Sequence, residues 1–284
     1  MTNCKVISCY FGNRKKYPFN EKNSIEVLKD VIKNEISLNP GVKQLDTILV
    51  NHNCNQEKAN KYLDSIDGLE TYSGKIKVIH RPWNNGVGAS FGSFNYAFEQ
   101  FRDEYDYWFF QEDDYKIIYK NYYSEGIEML NKNKNLGFVG FDRGSIAENS
   151  YGLNGFINYF LYDFLNDTSN NIIDKYIHDI RKAEDRIDII LNLLDTNDLC
   201  HGGMGLTHRD VLNKIYKKNG SLPYYDKPNP GFDNIDEYEL WWWLFVFLGE
   251  MQFPNSFSEY GYKVSLFNKH NEPLIYTYKG KEKR

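Results

Sequence analysis

What the chain lacks removes several classes of protein. It has no excess of positive charge: 34 Lys and Arg stand against 39 Asp and Glu, for a formal net charge of -5. A dedicated nucleic-acid binder would carry a basic stripe, and the sequence has none. Cysteine is scarce. Cys4, Cys9, Cys54 and Cys200 form no Cys-x-x-Cys pair and no zinc-type spacing. They read as reduced thiols in a reducing, cytoplasmic compartment. No apolar run approaches the ~20 residues of a membrane span, and the longest, Leu240 to Leu248, stops far short. Met1 leads directly into a strand-like run rather than a basic and then apolar segment, so no secretory signal is expected. Internal repeats and a recognisable linker are also missing, and the 284 residues are expected to form one domain.

What is present begins with a regular alternation of elements. Lys5 to Tyr10 is a β-rich run closed by Phe11-Gly12-Asn13. Ser24 to Ile36 carries Ile25, Leu28, Ile32 and Ile36 at helical spacing, and Asn39-Pro40-Gly41 ends it. Thr47 to Val50 and Lys75 to Ile79 are strands, with a helix-like stretch around Ala59 to Leu63 between them. A helix from about Ser90 to Phe101 follows, and then an aromatic strand. Strand and helix alternating in this way predict a doubly wound, mostly parallel α/β sheet. The second half is less regular. Gly137 to Phe141 reads as a strand, Leu199 to Arg209 as a glycine-rich loop, and Asn219 to Phe232 as a loop with three prolines. Ile172 to Leu194 is an amphipathic helix that either packs on the domain surface or serves as a lid or homodimer contact. Asp236 to Leu248 is a very apolar helix. Its Trp241-Trp242-Trp243 cannot share one helical face and has no basic flank, which favours burial over a membrane interface.

The chain centres on Tyr107-Trp108-Phe109-Phe110-Gln111-Glu112-Asp113-Asp114. An unbroken aromatic run reads as a strand buried on both faces. It ends in three acids, whose mutual repulsion is costly unless a cation sits among them. Hard divalent cations such as Mg²⁺ or Mn²⁺ prefer carboxylate oxygen, and open α/β sheets bind ligands beyond the carboxyl ends of their strands. A metal site at the lip of the sheet is the expectation.

Arg81 to Gly92 follows the third strand and opens the next helix. Its glycines allow close backbone approach, and free amides at a helix N-terminus favour an anion such as a pyrophosphate. The spacing is G-x-G-x-x-x-G and follows the third strand rather than the first, so a dinucleotide fold is not indicated. No P-loop lysine is present.

With Asn85-Gly86-x-Gly88-Ala89-Ser90, Asn95 and Ala97 on the next helix, then the hydrophobic strand and its acids, the chain resembles glycosyltransferases of the GT-A fold. The resemblance covers roughly residues 5 to 115, the nucleotide-sugar-binding half, and leaves 116 to 284, with the 172–194 helix, as the acceptor half. Glu112-Asp113-Asp114 is similar to the E-D-D variant of that family's DXD motif. Two departures stand out: Gln111 where many members have the first Asp, and Asn51 where many have a base-contacting Asp.

The resemblance implies a metal-dependent transfer of a sugar from a nucleoside-diphosphate sugar to a hydroxyl acceptor on a glycan or glycoconjugate, with inversion. Asp114 would hold Mn²⁺ or Mg²⁺, with His270 as a further ligand. Asp113 would face the ribose or sugar and Glu112 the nucleotide end. Tyr10 to Arg14, including Asn13, would cradle the base, with Tyr10 or Phe11 stacking on it and Asn51 nearby. Arg81, Asn85 and Gly86 would bind the nucleotide sugar, and Gly202-Gly203 would let the sugar approach the main chain. The stretch Phe232 to Leu240 is similar to the family's E-D-x-E-L helix start, and Glu237 or Asp236 would be the catalytic base. A non-catalytic nucleotide- or carbohydrate-binding module on the same fold is the alternative. A nucleotidyltransferase would need basic residues after the first strand, where this chain has Phe11-Gly12-Asn13-Arg14.

Overall fold

The computed structural model describes residues 1–9, 11, 21–52, 56–82, 88–141, 203–224, 253, 256–267, 275–277 and 281–283. For residues 21–23, 89 and the last two of these stretches it describes the backbone alone. The first half contains β1 (Asn3–Cys9), α1 (Glu21–Ser37), β2 (Asp46–Asn51), α2 (Glu57–Ile66), β3 (Ile76–His80), α3 (Ala89–Phe101) and β4 (Tyr107–Glu112). There follow β5 (Tyr115–Ile117), α4 (Tyr122–Lys132), β6 (Leu136–Gly140), β7 (Gly205–His208) and α5 (Arg209–Asn219). The C-terminal strands are β8 (Lys263–Leu266), β9 (Ile275–Thr277) and β10 (Lys281–Lys283).

Seven strands form one sheet in the order β3-β2-β1-β4-β7-β6-β8. All run parallel except β7, which pairs antiparallel with both β4 and β6. This is the α/β architecture the sequence implies, a mostly parallel sheet flanked by helices. The alternation along each strand decides which helices lie where. Cys4 and Val6 of β1, with Trp108 and Phe110 of β4, face α3 and α5. Ile7 and Cys9 face α1 and α2, while Phe109 faces α4. Helix α3 packs through Phe91, Phe94 and Phe98, which share one face of the helix. Phe94 stacks on Phe110 at 4.8 Å between ring centroids, and Phe98 meets Trp108 edge-on at 5.1 Å.

One buried pair was not foreseeable from strand pattern. Lys5, mid-strand in β1, is 0% exposed and places Nζ 2.7 Å from Oε1 of Glu35 on α1. The ammonium also lies over the rings of Tyr122, at 4.7 Å, and Phe109, at 5.4 Å. Burial pulls the Lys5 pKa below its ordinary value, and the Glu35 carboxylate opposes that shift.

The structure adds elements that the sequence reading left as loop or unread. Gly205–His208 is a strand inside the stretch read as a glycine-rich loop, and α4, α5, β5 and β8 to β10 complete the second half. The 172–194 and 236–248 helices, with the tryptophan run, lie outside the described residues. Among the described residues no helix is long and apolar enough to cross a membrane.

Candidate active site

The strand order changes direction at β1. The chain runs outward through β2 and β3, then returns to place β4 on the other side of β1. Such a switch point opens a crevice at the carboxyl ends of the strands, where open α/β folds bind ligands. Cys9, Asn51, His80 and Glu112 end the four strands at this lip.

The acids sit at a corner. Asp113 and Asp114 form the turn between β4, in the main sheet, and β5, which leaves it for a small sheet of order β10-β9-β5. Gln111 is fully buried and its Nε2 donates to the Tyr115 carbonyl at 2.8 Å, which fixes that corner. The side chain at the position of the missing first Asp thus shapes the turn. Glu112 accepts a hydrogen bond from Ser90 Oγ at 2.5 Å, so the first turn of α3 is held against the end of β4. Asp113 lies close enough to the end of β1 that its charge reinforces the effect of burial in raising the Cys9 pKa.

A second polar group lies beside the same helix start. Arg81 follows β3 and is 7% exposed. Its Nη1 donates to His52 Nδ1 at 3.1 Å, and Ser93 Oγ lies 3.2 Å from the same nitrogen. A guanidinium has donors only, so Nδ1 is the acceptor and the ring proton of His52 belongs on Nε2. Burial lowers the Arg81 pKa, opposed by Tyr224, Glu99 and Tyr96. Among the described residues no carboxylate forms an ion pair with Arg81. Ser90 and Ser93 stand three residues apart on α3, so Glu112 and the His52–Arg81 pair flank the same turn.

Asn51 is engaged elsewhere. Its Nδ2 donates to Asn60 Oδ1 at 2.6 Å and lies 3.0 Å from His80 Nδ1, and His80 Nε2 is 2.9 Å from Asp64 Oδ1. The amide ties the end of β2 to α2 and β3. Phe11, expected to stack on a base, is 1% exposed and packs with Ile7, Cys9, Leu28 and Val31, so its ring faces are occupied by the core.

Gly88 caps α3 at φ +81, and a Cβ there would lie 2.6 Å from Gly92 Cα. Glycine at this position is a steric requirement of the helix start. Gly203 has φ +63, and a Cβ on it would meet Phe91 Cε1 at 2.6 Å. Its bare face is filled by a ring of α3. Tyr10, Asn13, Arg14, Asn85, Gly86, Gly202, Asp236, Glu237 and His270 lie outside the described residues. The structure therefore brings Glu112, Asp113, Asp114 and Arg81 to one lip. Sequence reading missed His52, Ser90 and Ser93 there. The signal for the serines was their spacing at the start of a helix that follows a glycine loop.

Among the described residues no three His, Cys, Asp or Glu side chains converge as a metal cage. The donor chemistry nonetheless suits a hard cation. Mg²⁺ is commonly held by one or two carboxylates plus substrate phosphates and water, and Asp113 and Asp114 offer adjacent carboxylates at the lip.

No protein-family model and no curated protein matches the sequence. Among solved structures, TarS 1-349 of S. aureus, in complex with UDP, aligns with a TM-score of 0.31 and 15% identity over 50% of this chain and 36% of that one. Mouse xyloside xylosyltransferase 1 aligns with a TM-score of 0.30 and 10% identity over 50% of this chain and 53% of that one. The chain thus matches about a third to a half of these neighbours' length.

Proposed function

We propose that the chain is a metal-dependent glycosyltransferase of the GT-A type, moving a sugar from a nucleoside-diphosphate sugar to a hydroxyl acceptor with inversion. The observation that carries the reading is the pairing at the start of α3: a buried guanidinium with no carboxylate ion pair among the described residues, beside a turn of acids. A buried cation of that kind is costly unless an anion satisfies it, and a diphosphate entering the switch-point crevice does so. The acids at β4 suit the cation that a diphosphate brings with it.

In this reading Asp114, with Asp113 beside it, holds Mn²⁺ or Mg²⁺, and the bound metal supplies Lewis-acid stabilisation of the leaving diphosphate. Glu112, fixed by Ser90, borders the nucleotide end, and Arg81 binds phosphate oxygen as a fixed donor. The bond between the anomeric carbon and the diphosphate oxygen breaks, its electron pair leaving with the diphosphate. The acceptor oxygen bonds to that carbon from the opposite face, and its proton passes to the carboxylate of Glu237 or Asp236. Electrostatic stabilisation of the leaving group supplies most of the rate, and the base contributes ~10²–10⁴-fold.

The test is a thermal-shift screen of nucleoside diphosphates and nucleotide sugars with Mn²⁺ and with chelator, on the wild type and on Asp114→Asn. A ligand at ~100 times its Kd raises stability by ~2.7 kcal/mol, which the screen detects. A Mn²⁺-dependent shift with one nucleotide family, lost in Asp114→Asn, is the expected result. A shift insensitive to chelator, or kept in full by Asp114→Asn, would sink the metal assignment. A flat response to every donor would leave a binding module on this fold.

A further inference from the structure

The opposite pole of the sheet carries a groove of about 580 Å³, floored by the beginnings of β4 and β6 and the end of β7, and walled by α4 and α5. Its lining includes Tyr107, Asn131, Lys134, His208, Lys214 and Lys217. Tyr107 and Glu112 are the two ends of β4, so the groove lies about 17 Å along that strand from the acid corner. The volume is that of a small-molecule site.

The groove's polar groups are arranged to donate. Lys134, Lys214 and Lys217 have no carboxylate partner among the described residues. Their neighbours do: Lys132 pairs with Glu128 at 2.5 Å and Lys218 with Glu259 at 2.6 Å. Lys214 Nζ donates to Tyr262 Oη at 2.5 Å, so that phenol has its own proton to offer elsewhere. Tyr107 Oη donates to Asn131 Oδ1 at 2.9 Å, which leaves the Asn131 NH₂ to donate. The Asp210 backbone N–H donates to His208 Nδ1 at 3.1 Å, which puts the imidazole proton on Nε2. Asp210 is the acid in the lining, and its carboxylate stands 3.6 Å from His208.

Three exposed ammonium groups, an amide, a phenol and an imidazole N–H, lining one groove in a protein of net charge -5, suit a ligand made of acceptors. A phosphate monoester carries a charge of about -1.5 to -2 at neutral pH and three strong acceptor oxygens. We infer that this groove is a second ligand site, specific for a phosphate-bearing small molecule and separate from the crevice at the other end of the sheet. It is independent of the glycosyltransferase reading.

The experiment titrates inorganic phosphate into the full chain at constant ionic strength, following the side-chain amide signals of Asn131 and Asn213 by NMR. The wild type is compared with Lys214→Glu/Lys217→Glu. Both lysines are exposed, so the variant keeps its fold. Saturable shifts at both amides in the wild type, with affinity at least tenfold weaker in the variant, are the expected result. Shifts that do not saturate, or equal affinity in the two proteins, overturn the site. An Arg81→Met protein should retain the response, and its loss there would place the phosphate in the crevice instead.

Discussion

Arg81 donates to His52 Nδ1 across 3.1 Å in the interior of the lip, and this contact joins the end of β3 to the residue after β2. A neutral imidazole is an unusual chief partner for a buried guanidinium, since it orients the group without neutralising it. The full positive charge stays available for a ligand. That arrangement sacrifices stability for binding, and the two should separate on mutation.

Arg81→Met should lower nucleoside-diphosphate affinity by ~10–100-fold, or ~1.4–2.8 kcal/mol. Its unfolding free energy should stay within ~1 kcal/mol of wild type or rise, because the substitution removes a buried charge that has no acid partner among the described residues. Isothermal titration calorimetry and urea unfolding on one preparation read both quantities. Equal loss in both would make Arg81 a structural residue.

The Lys5–Glu35 pair should behave in the opposite way. Glu35→Ala leaves the Lys5 ammonium buried and alone, at a cost of about 3–5 kcal/mol. Replacing both, as Lys5→Met with Glu35→Leu, should be neutral or stabilising. The folded Lys5 pKa is depressed, so the unfolded chain binds more protons in the range between that value and the ordinary one. Stability therefore rises with pH through that window. The rise should be steeper in Glu35→Ala, where the opposing carboxylate is gone, and absent in the double variant.

Asp106 governs the acid limb. Its carboxylate accepts from the Thr2 backbone N–H at 2.9 Å and lies 3.2 Å from Arg209 Nη2. The Thr2 bond, with Arg209 and the N-terminal amine, holds its pKa below the ordinary value against the opposing effect of burial. The contribution is present above the unfolded pKa and is lost as pH falls through the folded one. Because the group is partly exposed to solvent, Asp106→Asn should cost no more than about 1 kcal/mol at neutral pH. It should cost less at pH 2 than at neutral pH, as paired urea titrations at the two pH values can check.

Gly88→Ala should destabilise by ~2 kcal/mol or more. It places a side chain at φ +81 and 2.6 Å from Gly92 Cα, where backbone has to move. The same variant should weaken nucleotide binding, because it displaces the turn that carries Ser90. Thermal unfolding with and without nucleotide separates the two effects.

The first half of the fold was legible because its signals are local. The β1, β2, β3 and β4 strands are apolar runs at expected spacing, and the helix read from about Ser90 to Phe101 matches α3 to within a residue of its start. The second half was illegible where strands owe their existence to partners. Gly205-Leu206-Thr207-His208 has the composition of a loop, yet it is the strand between β4 and β6. Glycine is needed there because a Cβ on Gly205 would lie 2.3 Å from the Val139 carbonyl oxygen. The burial of Lys5 could not be read from its strand, since its partner Glu35 is thirty positions away on α1. At the site, the acids were visible as a cluster, whereas the role of Gln111 depended on a turn that only the fold defines.

The single reversed strand has a topological consequence. Because β7 runs against β6 and sits beside it, the chain leaves β6 and re-enters the sheet at the same edge of the domain, with the Phe141 amide bonded to the Met204 carbonyl at 3.0 Å. Phe141 and Met204 therefore stand side by side as two neighbouring anchor points in the chain. Closing a longer loop costs only about 0.6 kcal/mol per doubling of its length. A change of chain length between those two anchors should therefore leave the strand order β4-β7-β6-β8 as it is.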